Sequence, residues 1–270
     1  MKKILTFLLV FSVILSGCSQ ISAENPTRKV GLEEKQDPPS DFIPKKLTVV
    51  SVGDSLTQGV GDSTDSGGYI PYLKKGLESE KGIDEVTFYN FGVRGNRTDQ
   101  LLSRLKTEKV QGKVKQADIV MITIGGNDVM KVFRDNFSNL KLQEFENARI
   151  GYQKRLKDIL TTIRNENPNA GIVLVGLYNP FIKWFSDVKE LQQIVYNWNN
   201  ASLDILGEFD QTKFVPISDI FENKEEELLY TDYFHPNDKG YKLIADRIFE
   251  ELKGEKINGL LESNLVVKED

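Results

Sequence analysis

Leu47-Thr48-Val49-Val50-Ser51-Val52-Gly53-Asp54-Ser55 decides how the rest of the chain is read. Six residues rich in β-branched side chains, closed by a glycine, describe a strand buried on both faces. Ser55 then falls at a strand-to-helix turn, where a short loop exposes its side chain. The same short apolar run recurs at Val86–Phe91, at Ile119–Ile124 before Gly125-Gly126, at Ile172–Val175 and at Phe214–Ile217. Pro216 marks the last as an edge strand, because proline cannot donate to the ladder. Helical spacing fills the gaps at about 68–80, 98–110, 141–166, 187–208 and 237–253. Thr98 and Asn237 are expected N-caps. Leu191, Ile194, Val195, Trp198 and Leu203 form the expected core face of the fourth helix. Strands alternating with helices imply βα units, hence an α/β fold with a parallel sheet covered on both faces. No internal repeat or second domain is found. One domain over 46–255 is expected, with a peripheral tail over 256–270.

The 270 residues suffice for one generous core. The net charge is -5, and about -7 without Lys2 and Lys3, which gives no electrostatic reason to expect a nucleic-acid partner. One Cys and one His exclude a disulfide framework within the chain and the ligand sets typical of zinc. No D-x-[DN]-x-[DN]-G calcium loop is present. No metal and no cofactor are expected.

Met1-Lys2-Lys3 followed by the apolar run Ile4–Leu15 fits a signal peptide over 1–17, being too short for a membrane span. Leu15-Ser16-Gly17-Cys18 then resembles the bacterial lipobox. That resemblance implies a diacylglyceryl group on Cys18, and two acyl chains hold a protein stably on a membrane. The alternative is an ordinary signal peptide cut near Ser22-Ala23. Residues 18–45, polar and proline-containing, read as a lipidated tether. The expected location is extracytoplasmic, anchored to the bacterial cell membrane.

In a parallel sheet, ligands bind at the carboxyl ends of the strands. Three such ends carry polar groups: Gly53-Asp54-Ser55, Asn90-Phe91-Gly92-Val93-Arg94-Gly95-Asn96 and Gly125-Gly126-Asn127-Asp128. A serine hydroxyl is a poor nucleophile until a base takes its proton, and a carboxylate commonly orients that base. The single histidine, His235, follows Asp232 by three residues in Thr231-Asp232-Tyr233-Phe234-His235-Pro236. That spacing lets a carboxylate meet one imidazole nitrogen while the other faces outward. Alone, each block also has an ordinary structural reading: a βα turn, a turn after a strand, or a helix cap.

Together, and in this order, the blocks resemble the SGNH, or GDSL, hydrolase family over about 47–252. Gly53-Asp54-Ser55-Leu56 matches the block whose serine is the nucleophile. Gly95 matches the glycine whose backbone N–H faces the oxyanion, with Gly92 as the alternative. Asn127 matches the asparagine that supplies a further oxyanion donor. Asp232 and His235 match the last block, of which Asp232 is the softer member. The resemblance implies a flavodoxin-like, three-layer α/β/α sandwich on a mainly parallel five-stranded sheet. It also implies a serine esterase with Ser55, Asp232 and His235 as triad and Ser55, Gly95 and Asn127 as oxyanion hole. Asp54 would orient the turn. The expected partner is a small-molecule or lipid ester, with short or medium acyl chain.

Related chemistries fit less well. Gly53-Asp54-Ser55-Leu56-Thr57 fails the G-x-S-x-G elbow at its last position, and no phosphate loop exists. Gly59-Val60-Gly61 lacks the third glycine of a dinucleotide fingerprint. Arg94 and Arg97 flank the second block and can meet an anionic substrate or simply face solvent. Asn179-Pro180-Phe181-Ile182-Lys183-Trp184-Phe185 forms either an apolar wall over the site or packing for the next helix. The remaining alternatives are an O-acetyl deacetylase of a polysaccharide and a non-catalytic ligand-binding lipoprotein.

Overall fold

Five runs pair in parallel because each needs a neighbour for its backbone polar groups, and the three inner ones are buried on both faces. The computed structural model describes residues 44–179, 181, 185 and 188–261. The strands are β1 (Lys45–Gly53), β2 (Ile83–Gly92), β3 (Ile119–Thr123), β4 (Gly171–Val175) and β5 (Thr212–Val215). Their order is β2-β1-β3-β4-β5, every pair parallel. This is the flavodoxin-like arrangement expected from the sequence, and β5 is an edge strand. Pro216 lies just beyond its end rather than within it.

Helices α1 (Ser55–Gln58), α2 (Ile70–Glu78), α3 (Thr98–Leu105), α4 (Glu108–Val114), α5 (Gly126–Asp135) and α6 (Leu142–Glu166) are followed by α7 (Lys189–Leu206), α8 (Ser218–Phe221), α9 (Glu225–Leu228), α10 (Asp238–Leu252) and α11 (Glu255–Leu260). Alternate strand residues build two cores. Val50, Val52, Val120, Ile122, Ile172 and Leu174 share one with Leu101, Leu156, Leu160 and Trp198. Val49, Ile119, Met121, Val173 and Val175 share the other with Leu73, Leu77, Ile244 and Ile248. Each such side chain contributes about 1.5–3 kcal/mol on burial.

Several local expectations change. The helix expected over 98–110 breaks at Thr107, whose hydroxyl donates to the Arg104 carbonyl at 2.7 Å and competes with helix continuation. Arg97, not Thr98, is the N-cap of α3. Asn237 caps α10 as expected, its side chain accepting from Gly240 N–H at 3.1 Å. Leu203 is 52% exposed and lies outside the core, because near-helical spacing does not settle which edge of a stripe is covered. Gly126–Asp135 forms a helix where only a turn was read. The segment after Glu255 is not peripheral through 261: Ile257, Leu260 and Leu261 are buried. The leader, Cys18 and the tether through residue 43, and the tail from 262, lie outside the described residues.

Candidate active site

In the order β2-β1-β3-β4-β5 the chain reverses direction between β1 and β3, and ligand crevices form at such switch points. The ends of β1 and β3 hold Ser55 and Asn127 there. Gly53 is required by close approach: an added Cβ would lie 2.1 Å from the Thr123 carbonyl oxygen. Asp54 N–H donates to that same oxygen at 3.0 Å. The Asp54 carboxylate caps α1, accepting from Leu56 N–H at 3.1 Å and from the Thr123 hydroxyl at 2.9 Å. Thr123 Oγ1 lies 2.8 Å from Thr57 Oγ1, which lies 3.2 Å from the Tyr69 hydroxyl. Burial pushes the Asp54 carboxyl up to about 7, against the hydrogen bonds from Thr123 and Leu56. Asp54 therefore orients the turn through a buried polar network. Since α1 is a single turn, few peptide dipoles add at Ser55.

The segment after β2 is shaped from several sides. Asn90 donates to the Thr57 carbonyl at 2.7 Å and accepts from Gly92 N–H at 2.8 Å. Arg104 donates to the Phe91 carbonyl at 2.7 Å and to Asn96 Oδ1 at 3.0 Å. Of the two candidate glycines, Gly92 has its N–H engaged, and an added Cβ would meet Gln58 N at 2.0 Å. Gly95 has φ of +80° and lines the cleft beside Ser55.

Gly125, at φ +115°, is the N-cap of α5, so Asn127 sits in that helix's first turn. Its Nδ2 donates to the Asn96 carbonyl at 3.0 Å, linking the second and third blocks. The neighbouring Asp128 accepts from Thr98 N–H and Oγ1 at 3.0 and 2.6 Å and from Arg155 at 3.1 Å. It thereby joins α3, α5 and α6 just behind the site. Its carboxyl is raised by burial, which those partners only partly oppose.

Asp232 Oδ2 lies 2.6 Å from His235 Nδ1. Asp232 Oδ1 accepts from the Phe234 and His235 N–H groups at 3.0 and 2.9 Å. Burial works against the Asp232 charge, but the His235 and Phe234 hydrogen bonds outweigh it and hold the carboxyl below its ordinary value. His235 is buried, and that burial lowers its pKa below 6.5; Asp232 opposes the shift and Arg94 adds to it. A cleft of about 340 Å³ is lined by Ser55, Gly95, Asn127, Asp232 and His235, with Arg94, Met130, Arg134 and Phe234. The five residues predicted for the site are thus brought together. Cys18 lies outside the described residues. Among the described residues no cluster of three or more His, Cys, Asp or Glu side chains is placed to hold a metal ion.

The sequence profile of the GDSL-like lipase/acylhydrolase family matches residues 51–243. The chain belongs to that family. YpmR of Bacillus subtilis (strain 168) is 36% identical over 255 residues, covering 94% of this chain and 97% of its own. The spore germination lipase LipC of Bacillus licheniformis is 27% identical over 213 residues, 75% of this chain and 94% of its own. The solved lipase Lip_vut3 from a goat rumen metagenome superposes with a TM-score of 0.69 at 25% identity, covering 78% of this chain and 99% of that one. An acetyl-xylooligosaccharide esterase from Geobacillus, Axe2, shares the fold with a TM-score of 0.59 at 22% identity, over 79% and 97%. This GDSL-family chain is a carboxylic ester hydrolase.

Some members of the GDSL hydrolase site escaped sequence reasoning. Thr123 and Arg104 carried no local signal, because the groups they bond, such as Asp54 and Phe91, lie far away in the chain, and Arg134 none, because only the fold brings it to the cleft. Arg97 pairs with Asp99 at 3.0 Å and does not line the cleft, whereas Arg94 does. Phe181 is buried, its ring centroid 4.6 Å from that of Phe133, so it packs on α5 rather than walling the site.

Proposed function

We propose that the chain hydrolyses short-chain carboxylic esters by an acyl-enzyme route through Ser55, His235 and Asp232. The observation that carries this reading is one cleft lined by Ser55, His235 and Asn127, with Asp232 bonded to the far imidazole nitrogen. The Ser55 Oγ–carbonyl carbon bond forms as His235 Nε2 takes the hydroxyl proton. The bond from that carbon to the alcohol oxygen then breaks, and His235 returns the proton to the leaving oxygen. Water repeats the sequence on the acyl-enzyme, its proton passing through His235 to Ser55 as the acid departs. Asp232 holds the tautomer and steadies the imidazolium. The N–H groups of Ser55 and Gly95 and the Asn127 amide, whose other N–H is engaged by Asn96, stabilise the oxyanion.

A narrow cavity of about 30 Å³ adjoins Ser55 on the side lined by Val175, Gly176, Leu177 and Tyr178. A water needs roughly 10–15 Å³ by this measure, so the space suits a methyl or ethyl group. Short acyl chains follow. The same cavity favours a second reading, removal of O-acetyl groups from a polysaccharide. A diacylglyceryl anchor on Cys18 would hold the domain at the outer face of the cell membrane, and Cys18→Ser is expected to release it to the medium.

The test compares the full chain with Ser55→Ala on p-nitrophenyl esters of increasing acyl length, and probes both with a serine-directed phosphonate. Turnover greatest for acetate to butyrate, and lost with labelling in Ser55→Ala, is expected. Equal turnover by both proteins would remove Ser55 as nucleophile. A folded wild type inert to every ester and to the phosphonate would favour the ligand-binding alternative.

A further inference from the structure

The space around Ser55 is divided, and the two sides differ in chemistry. The narrow cavity is lined mostly by apolar groups, Leu177, Tyr178 and Val175 among them, and His235 is not in its wall. The wider cleft contains His235, which must reach the leaving oxygen to protonate it. On the esterase reading of Ser55 and His235, the acyl group therefore occupies the narrow side and the alcohol the cleft. Phe234 borders both, its ring packed edge-on against His235 at a centroid distance of 4.8 Å.

Two guanidinium groups belong to the alcohol side, Arg94 from the segment after β2 and Arg134 from the last turn of α5. Among the described residues no carboxylate pairs with either. Carboxylates nearby in sequence are engaged by other cations: Asp135 by Lys131 at 2.5 Å, and Asp99 by Arg97 at 3.0 Å. Asp232, the carboxylate lining the cleft, is bonded to His235. Arg94 is close enough to depress the His235 pKa, and its backbone N–H is held by Gln58 Oε1 at 2.6 Å. Among the described residues the alcohol side thus sets two guanidinium groups against the single carboxylate of Asp232, in a chain whose net charge is -5.

We infer that Arg94 and Arg134 are specificity-determining residues that select esters whose alcohol portion is anionic, bearing a phosphate or carboxylate. Guanidinium groups suit such anions through charge-assisted, bidentate hydrogen bonds. The anion can come from a soluble alcohol or from a lipid headgroup, and the narrow acyl side favours the soluble source.

The experiment measures kcat/KM of the full chain on the acetyl ester of glycerol phosphate and on the acetyl ester of glycerol, across ionic strength. A preference of about tenfold or more for the phosphate ester at low salt is expected. It should shrink as salt rises through about 0.1 M, where the Debye length is about 10 Å. Arg134→Gln and Arg94→Gln should each lower that ratio several-fold, and Arg134→Lys should restore part of it. A lysophospholipid with an anionic headgroup forms the third arm; if it outruns the acetyl phosphate ester, the lipid source is selected. Hydrolysis of both acetyl esters at equal kcat/KM, or a ratio unmoved by either Gln variant, overturns the inference and leaves the esterase reading intact. Hydrolysis of neither, with no phosphonate labelling, removes both together.

Discussion

Ser55 and His235 line one cleft, yet the segments that carry them are built differently. Ser55 follows the inner strand β1, which is paired on both sides, by β2 and β3. Val93 N–H donates to the Gly53 carbonyl at 3.0 Å, and Asp54 and Thr123 tie the turn to β3. His235 lies in a turn between α9 and α10, closed by a lone bridge between Leu229 and Pro236. Tyr230 N–H donates to the His235 carbonyl at 2.7 Å, Asn237 Nδ2 to the Glu227 and Leu229 carbonyls at 2.7 and 3.1 Å. Two long-range contacts are added to these: the Tyr178 hydroxyl donates to the Phe234 carbonyl, and the Gly61 backbone packs against Pro236 and His235. The nucleophile is thus positioned by the sheet, the base mainly by its own turn. Changes near Ser55 should act on stability as well as chemistry, and changes near His235 chiefly on chemistry.

The largest expected effect breaks the base side. His235→Ala should lower kcat by on the order of 10⁴–10⁶, measured on the best p-nitrophenyl ester, with the fold retained by circular dichroism. Asp232→Asn should cost less, about 10²–10⁴, because its backbone-bonded turn persists. Equal losses in both would mean that the turn does not position His235 independently of the Asp232 charge.

Asn127→Ala tests the bridge between the sides. Loss of an oxyanion donor is expected to lower kcat about 10²–10³, with little change in KM. A loss confined to KM would assign the amide to ground-state binding instead.

Asp54→Asn separates stability from chemistry on the nucleophile side. The folded carboxyl titrates near 7, above its ordinary 3.8. The folded state therefore holds that proton more tightly, and this contribution is full below about pH 3.8 and lost as pH rises through about 7. The loss amounts to roughly 4 kcal/mol at most. Urea melts at pH 4 to 8 should show a steeper decline in the wild type than in Asp54→Asn. Parallel curves would place the Asp54 charge in a better solvated setting than its burial implies.

The smallest effect sharpens the electrostatics of the base. As His235 loses its proton, kcat/KM should rise with pH, with a midpoint below 6.5 because burial disfavours the imidazolium. Arg94→Gln removes a cation that adds to that shift, so the midpoint should move up by a few tenths of a pH unit. A midpoint above 6.5 in the wild type would mean that the Asp232 charge outweighs burial.

The strands were legible because β-branched runs such as Val49–Val52 and Ile119–Ile122 carry their signal within a few residues. Helix α5 was not, since Gly125-Gly126-Asn127-Asp128 reads as a turn whether or not a helix follows. Ser55, Asn127, Asp232 and His235 were recognisable from block order. The choice of Gly95 over Gly92 depended on the Gln58 backbone, more than thirty residues away.

By itself, then, the sequence determined the alternation of the five strands with the longer helices and the supply of reactive groups: one histidine, a serine at a strand end, and a carboxylate three residues before the base. Those features are local, and backbone propensity and side-chain chemistry act over a few residues. Tertiary structure alone decided that Arg134 reaches the cleft, that Asp54 is buried enough to titrate near 7, and that Ile257 and Leu260 complete the core. Each depends on which distant segments exclude water from a site, and that is a property of the assembled sheet and its two helical layers.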